Sequence, residues 1–240
     1  MVTTRSETVS TPDGSFTAHV AIPDSGSGPG LLVLQEIFGV NTYIRSVCER
    51  VAELGYVALA PDMFWRSEPG FTVEPDEADG MDRAMAKMGG FDWAHAANDL
   101  GAAFDTLQGL DECRGGAGVM GFCFGGTLTF HAAADLDPAV AVSYYGSGVA
   151  DSLDAKAESV RCPILFHFGD DDPFLPNEHV ERIRARLGDR PDVTIAVQAG
   201  AGHAFDNSFN PMFANPTAAA AAWELTRAHL ARHLPTDETA

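Results

Sequence analysis

Gly118-Val119-Met120-Gly121-Phe122-Cys123-Phe124-Gly125-Gly126 decides how the rest of the chain is read. Gly116 to Met120 is a short run of small and apolar residues, the pattern of a buried strand, and Thr127 to Ala134 opens a helix. Between them stands Gly-x-Cys-x-Gly-Gly, a strand–turn–helix "nucleophile elbow" with cysteine in the nucleophile's place. So sharp a turn strains its central residue, and the positions two residues to either side must lack bulk. Gly121 and Gly125 meet that need. A helix that starts beside the sulfur turns its free amides and positive dipole end toward it, an environment that favours thiolate. The plain alternative is a small buried cysteine in an ordinary glycine turn.

Working outward, Trp93, Ala96, Ala97, Leu100, Phe104 and Leu107 recur at helical spacing and lead into the elbow strand. Asp76 to Met88 reads as a further helix, broken by Gly89-Gly90. Leu31 to Leu34 is a continuous apolar run, as for a central strand covered on both faces. A polar Gly/Ser loop, Asp24 to Gly30, precedes it. Asn41 is placed to cap a helix carrying Ile44, Val47, Cys48, Val51 and Leu54, and Gly55 stops it. Tyr56 to Ala60 is the next strand. The aromatic stretch Met63 to Pro75 is a candidate cover for a pocket, with simple packing as the alternative. Glu7 to Thr11 and Phe16 to Ile22 flank Pro12-Asp13-Gly14 and predict an antiparallel hairpin.

Downstream of the elbow, strands are predicted at Ala139 to Tyr144, Ile164 to Phe168 and Val193 to Val197. Helices are predicted from Val180 to Leu187 and from Asn215-Pro216 toward Leu234. Strands alternating with helices imply an α/β fold, a mostly parallel sheet with helices on both faces, and the elbow motif makes the α/β-hydrolase type the expectation. No repeat or linker divides residues 1–240, so one domain is expected.

In such a sheet, residues just beyond the strand ends gather along the carboxyl edge, where ligands bind. Glu36, Cys123, the Asp170–Asp172 cluster and His203 all fall at such positions. Nucleophile, acid and histidine follow one another in the chain order of an α/β-hydrolase triad. Taken singly, a loop histidine or an Asp run is ordinary; in this order after successive strands they point to acyl transfer.

These motifs resemble the dienelactone hydrolase family, the carboxymethylenebutenolidases, over about Val20 to Leu234. The resemblance rests on Leu34-Gln35-Glu36-Ile37-Phe38-Gly39-Val40-Asn41, the cysteine elbow and Tyr144-Tyr145-Gly146. Gly169-Asp170-Asp171-Asp172 with Leu175-Pro176, and Gly202-His203-Ala204-Phe205, complete it. It implies Cys123 as nucleophile, His203 as general base and acid, and Asp172 as orienting acid, with Asp171 its nearest competitor. Glu36 matches the family's extra carboxylate, implied to take the thiol proton as substrate arrives. The backbone amides of Ile37 and Phe124 match the oxyanion hole. The implied reaction is hydrolysis of a dienelactone, or a related small lactone or carboxylic ester, through a thioester. No metal or organic cofactor is called for.

The chain departs from the family pattern after the histidine. Phe205-Asp206-Asn207-Ser208 stands where dienelactone-specific members carry an arginine for the substrate carboxylate. Asp206 would repel a carboxylate if it faced the pocket. Arg83 lies in the region that supplies a second substrate arginine, which makes it the candidate cation, with a solvated helix arginine as the alternative. Two other functions are weighed. Cysteine amidotransferases and a related stress-response fold share Gly-x-Cys-x-Gly, but Ala204-Phe205 follows His203 here and the Glu36 block is then unexplained. A non-catalytic binding protein on the same fold would have little use for an intact Cys123, Asp172 and His203.

Composition narrows the partners. Fifteen basic against 34 acidic residues give a net charge of −19, a field that repels nucleic acid and anionic membranes. No apolar run approaches the roughly 18 residues a membrane span needs, and Met1 to Ser10 is too polar for a signal peptide. Cys48, Cys113, Cys123 and Cys162 fit neither a zinc site nor a disulfide framework, so a reducing, cytoplasmic setting is expected. The expected partner is a small-molecule substrate, and the expected assembly a monomer or small homo-oligomer.

Overall fold

A computed structural model describes residues 1–74 and 76–236. Its centre is an eight-stranded sheet in the order β1-β2-β4-β3-β5-β6-β7-β8. β1 (Thr3–Thr11) and β2 (Gly14–Ile22) form an antiparallel hairpin at one edge, and β2 joins β4 (Val57–Pro61) antiparallel. From β4 onward the sheet is parallel, through β3 (Gly28–Leu34), β5 (Cys113–Phe122), β6 (Ala141–Tyr144), β7 (Ile164–Gly169) and β8 (Val193–Gln198). This is the α/β-hydrolase architecture.

Two apolar layers enclose the sheet, and strand alternation sorts residues between them. Leu32, Leu34 and Val119 face the side covered by α3 (Trp93–Gly109), α4 (Phe124–Asp135), α5 (Val149–Lys156) and α6 (Asn177–Leu187). Leu31, Val33, Met120 and Phe122 face α1 (Thr42–Ala52) and α7 (Pro216–His233). A central strand covered on both faces has no polar side to show, which is why its sequence is uninterrupted apolar. The Asn41 side chain caps α1 by accepting from the Ile44 amide, and Asn215 caps α7 through the Ala218 amide.

Several boundaries differ from the sequence expectation. Gly28 to Gly30 belongs to β3 rather than to a loop, because β5 extends back to Cys113 and pairs with it. The helix α2 spans Gly80–Gly89, not Asp76 to Met88; the preceding residues form turns, and Pro75, inside the expected aromatic loop, lies outside the described residues. α5 was not foreseen. Its eight residues carry only a short apolar face, Val149, Ala150 and Leu153, too brief a period to read.

The described residues of the aromatic stretch pack against the core and do not line the cleft at Cys123. Phe64 stacks on Phe124 and meets Phe71 edge-on, while Trp65 stacks on Phe16 and donates to Asp99.

The elbow depends on close backbone contact. A Cβ on Gly125 would stand 2.2 Å from the carbonyl oxygen of Leu34 and 2.6 Å from that of Gln35, so the start of α4 rests directly on the end of β3. Gly125→Ala must push these two backbones apart. We expect it to cost about 3 kcal/mol and lower the melting temperature by roughly 6–12 °C in calorimetry. A melting point within 2 °C of the wild type, on that same scale of roughly 2–4 °C per kcal/mol, would show that the contact is soft.

Candidate active site

Cys123 follows β5 directly and is the N-terminal cap of α4, with φ 55° and ψ −114°. That left-handed conformation is strained for a residue with a Cβ, and it lifts the sulfur above the carboxyl edge of the sheet. A bulkier residue two positions earlier is barred as well, since a Cβ on Gly121 would meet the Gly125 carbonyl oxygen at 2.2 Å. The first turn of α4 supplies amides without intrahelical partners beside the sulfur.

His203 lies beyond β8 and Asp172 beyond β7. His203 Nε2 is 3.0 Å from Cys123 Sγ, and His203 Nδ1 is 2.8 Å from Asp172 Oδ2. The other Asp172 oxygen accepts the Phe174 amide at 2.8 Å, which holds the carboxylate in place. Asp171 is exposed and contributes its backbone amide to the Ala201 carbonyl, so Asp172 is the acid that reaches the histidine. Burial disfavours the His203 imidazolium, but the neighbouring sulfur and the Asp172 carboxylate outweigh it, and the pKa is raised.

Glu36 follows β3 and is buried. Asn207 Nδ2 donates to its Oε2 at 2.8 Å, and the Tyr145 hydroxyl donates weakly to its Oε1 at 3.4 Å. Burial pushes its pKa up to about 7, against the pull of Asn207 and His203. No hydrogen bond joins it to Cys123; the sulfur is paired with His203 instead. Among the described residues, no acceptor takes the Ile37 or Phe124 amide hydrogen; Ile37 lines the cleft, and Phe124 follows Cys123 at the start of α4.

A raised carboxyl pKa has a stability consequence. The protonated form of Glu36 is favoured by folding, so its contribution is complete below the unfolded value near 4.5 and is lost as pH rises through about 7. Glu36→Gln removes that loss. Chemical denaturation at pH 5 and pH 8 is expected to show the variant gaining up to about 3 kcal/mol on the wild type between the two. A gain that does not change with pH would mean that Glu36 is ionised without penalty.

Asp206 does not face the cleft, contrary to the concern raised by its position. It is buried on the α1 side, where its Oδ2 accepts from the Tyr43 hydroxyl at 2.7 Å and from Arg50 Nη2 at 2.8 Å. Arg50 in turn lies over the Trp223 ring at 3.9 Å. Arg83 also lies elsewhere: it sits on the exposed side of α2, paired with Glu77 at 3.0 Å, and does not line the cleft. Sequence reasoning assigned no site role to Asn207, which reaches Glu36, or to Met81, Met85 and Met88, which line the cleft from α2. Asn207 stands close to the position where an arginine was sought, which was the one available signal.

The cleft above the sulfur has a volume of about 100 Å³. Its floor holds Glu36, Ile37, Cys123 and His203, and its walls are Phe38, the three methionines, Ser147, Phe174, Ala204 and Phe213. A thiol in contact with an oriented imidazole at the floor of a small cavity is an arrangement that can perform acyl transfer. No grouping among the described residues is suited to hold a metal ion, and no helix is long and apolar enough to cross a membrane.

The chain is similar to known proteins over nearly its whole length. The profile of the dienelactone hydrolase family matches residues 16–234. A carboxymethylenebutenolidase of Pseudomonas sp. strain P51 is 34% identical over 83% of each chain. A protein of Azospirillum brasilense, provisionally named a carboxymethylenebutenolidase, is 37% identical over 92% of this chain and 95% of its own. A crystal structure from Klebsiella pneumoniae, provisionally titled a dienelactone hydrolase, superposes with a TM-score of 0.83 at 25% identity, covering 97% of this chain and 99% of that one. With the family profile spanning nearly the whole chain, and the elbow, the oriented histidine and the carboxyl-edge cleft all in place, this protein belongs to the dienelactone hydrolase family.

Proposed function

We propose that this protein hydrolyses small lactones or carboxylic esters through a thioester on Cys123, with His203 and Asp172 completing the triad. The observation that carries this reading is the continuous contact Cys123–His203–Asp172, at 3.0 and 2.8 Å, beneath an open cleft. His203 Nε2 takes the thiol proton, and the thiolate attacks the substrate carbonyl. The tetrahedral oxyanion lies against the amides of Ile37 and Phe124, donors of a kind worth on the order of 3 kcal/mol each. Collapse breaks the bond to the leaving oxygen, which receives the proton from His203. Water, deprotonated by the same nitrogen, then adds to the thioester and releases the acid and the thiol.

Glu36 acts from beneath as a proton-accepting carboxyl whose pKa, near 7, suits exchange at neutral pH. It does not touch the sulfur while His203 holds it, so a thiol rotated away from His203 would pass its proton there. The Pseudomonas and Azospirillum relatives are named for carboxymethylenebutenolide, and what supports the reading here is the lactone bond of that compound, not its free carboxylate.

The test is hydrolysis of 4-nitrophenyl acetate before and after treatment with iodoacetamide. Turnover that falls in proportion to alkylation of Cys123 is expected. Absent turnover, or turnover indifferent to alkylation of Cys123, rejects the reading. Glu36→Gln is expected to lower kcat/KM by about tenfold or more, the usual weight of a positioned proton acceptor. Unchanged kinetics would leave Glu36 a packing residue.

A further inference from the structure

The cleft's walls carry information beyond the reaction type. Met81, Met85 and Met88 follow at helical spacing and present one face of α2 to the space above Cys123. Phe38, Phe174 and Phe213 close the other sides. Phe174 is 56% exposed, Met85 45% and Met81 41%, so the mouth of the cleft offers water a group of large apolar side chains. Exposed apolar surface rimming a reactive centre is surface that a bound apolar group removes from water. Thioether side chains are flexible and polarisable, and fit acyl groups of varied shape.

No lysine or arginine is among the lining residues, and the nearby cations are engaged. Arg83 is paired with Glu77, Lys87 with Glu68 at 2.6 Å, and Arg50 with Asp206. The one carboxyl on the floor, Glu36, is held by a neutral amide from Asn207 rather than by a guanidinium. A substrate carboxylate entering here would lose water, would find no free lysine or arginine, and would approach a second carboxyl, while the His203 imidazole is already held by Cys123 and Asp172.

Resting on the hydrolase reading, we propose that the cleft selects esters and lactones with an uncharged, apolar acyl group and discriminates against those that carry a free carboxylate. The specificity-determining residues are Met81, Met85 and Phe174 at the mouth and Asn207 beneath Glu36. The acid released by hydrolysis is then the first charged form of the acyl group, which this cleft binds poorly, and that assists its departure.

The experiment compares two esters of similar size and the same leaving group, 4-nitrophenyl pentanoate and mono(4-nitrophenyl) succinate. The pentanoate is expected to be favoured in kcat/KM by about a hundredfold, the scale on which an unpaired buried group is rejected. Met85→Arg places a cation at the mouth and is expected to narrow that ratio at least tenfold, on the scale of one restored charge pair. Equal rates, or preference for the succinate, overturn the proposal while leaving the hydrolase reading intact. Calorimetric titration of the folded Cys123→Ala variant with the same two esters separates the two ideas. Tighter binding of the pentanoate upholds the selectivity even if the wild type turns over neither ester, in which case the hydrolase reading alone fails. Equal or tighter binding of the succinate overturns the selectivity whatever the turnover.

Discussion

Replacing Cys123 by alanine is expected to lower kcat/KM for an activated ester by about 10⁴-fold or more, with the melting temperature held or raised. Removal of a nucleophile from an assembled triad costs this much because the remaining groups work only through it. Cys123 sits in a strained conformation, φ 55°, as do Tyr145 (φ 38°) and Ala204 (φ 54°) beside it. Alanine at that position keeps the same backbone requirement and loses only the thiol, so the fold has no reason to give way. Serine is the sharper control. It preserves the geometry within a few tenths of an ångström, yet the hydroxyl is far less acidic than a thiol, and activity is expected to remain at least about a hundredfold below the wild type. An alanine variant that is folded and still active, in burst kinetics and in steady state, would remove Cys123 from the reaction.

Asp172→Asn is expected to cost about 10⁴-fold in kcat, while Asp171→Asn is expected to cost almost nothing. The two side chains are adjacent in sequence and opposite in setting. Asp172 is buried, with one oxygen against His203 Nδ1 and the other on the Phe174 amide; Asp171 projects into solvent. An asparagine at 172 can offer its amide hydrogens toward Nδ1, which favours the tautomer that leaves Nε2 protonated and unable to take the thiol proton. The loss should therefore fall on kcat, with substrate binding little changed. Equal losses of kcat in the two variants, measured in steady state, would contradict the pairing.

Glu36 illustrates how far a family pattern carries and where it stops. Its position after an apolar strand, in the block Gln35-Glu36-Ile37-Phe38-Gly39, was legible as a carboxylate at the carboxyl edge. Its environment was not. The amide that holds it comes from Asn207, 171 residues later, and the tyrosine beneath it from a position 109 residues later. A guanidinium in Asn207's place would hold Glu36 ionised; the neutral amide leaves burial as the dominant influence. Arg83 shows the converse. Its sequence region suggested a substrate cation, but on α2 the methionines take the side that lines the cleft and the arginine lies off it, where Glu77 meets it. A helix of ten residues turns a side chain by 100° per position, so an assignment to a region says nothing of which face a residue takes.

The amino-acid sequence by itself determined the elbow, the alternation of strands and helices, and the order in which nucleophile, acid and histidine arrive at one sheet edge. These are local properties: glycine spacing where no Cβ fits, apolar runs where a strand is covered twice, and polar residues at the ends of those runs. Only the tertiary structure decided which of two adjacent aspartates meets the histidine, what neutralises Glu36, where Asp206 turns, and that methionines rather than arginines line the cleft. Each of those depends on contacts between segments far apart in the chain, and the energy of such a contact is absent from either segment alone until packing brings the two together and shuts out the water between them.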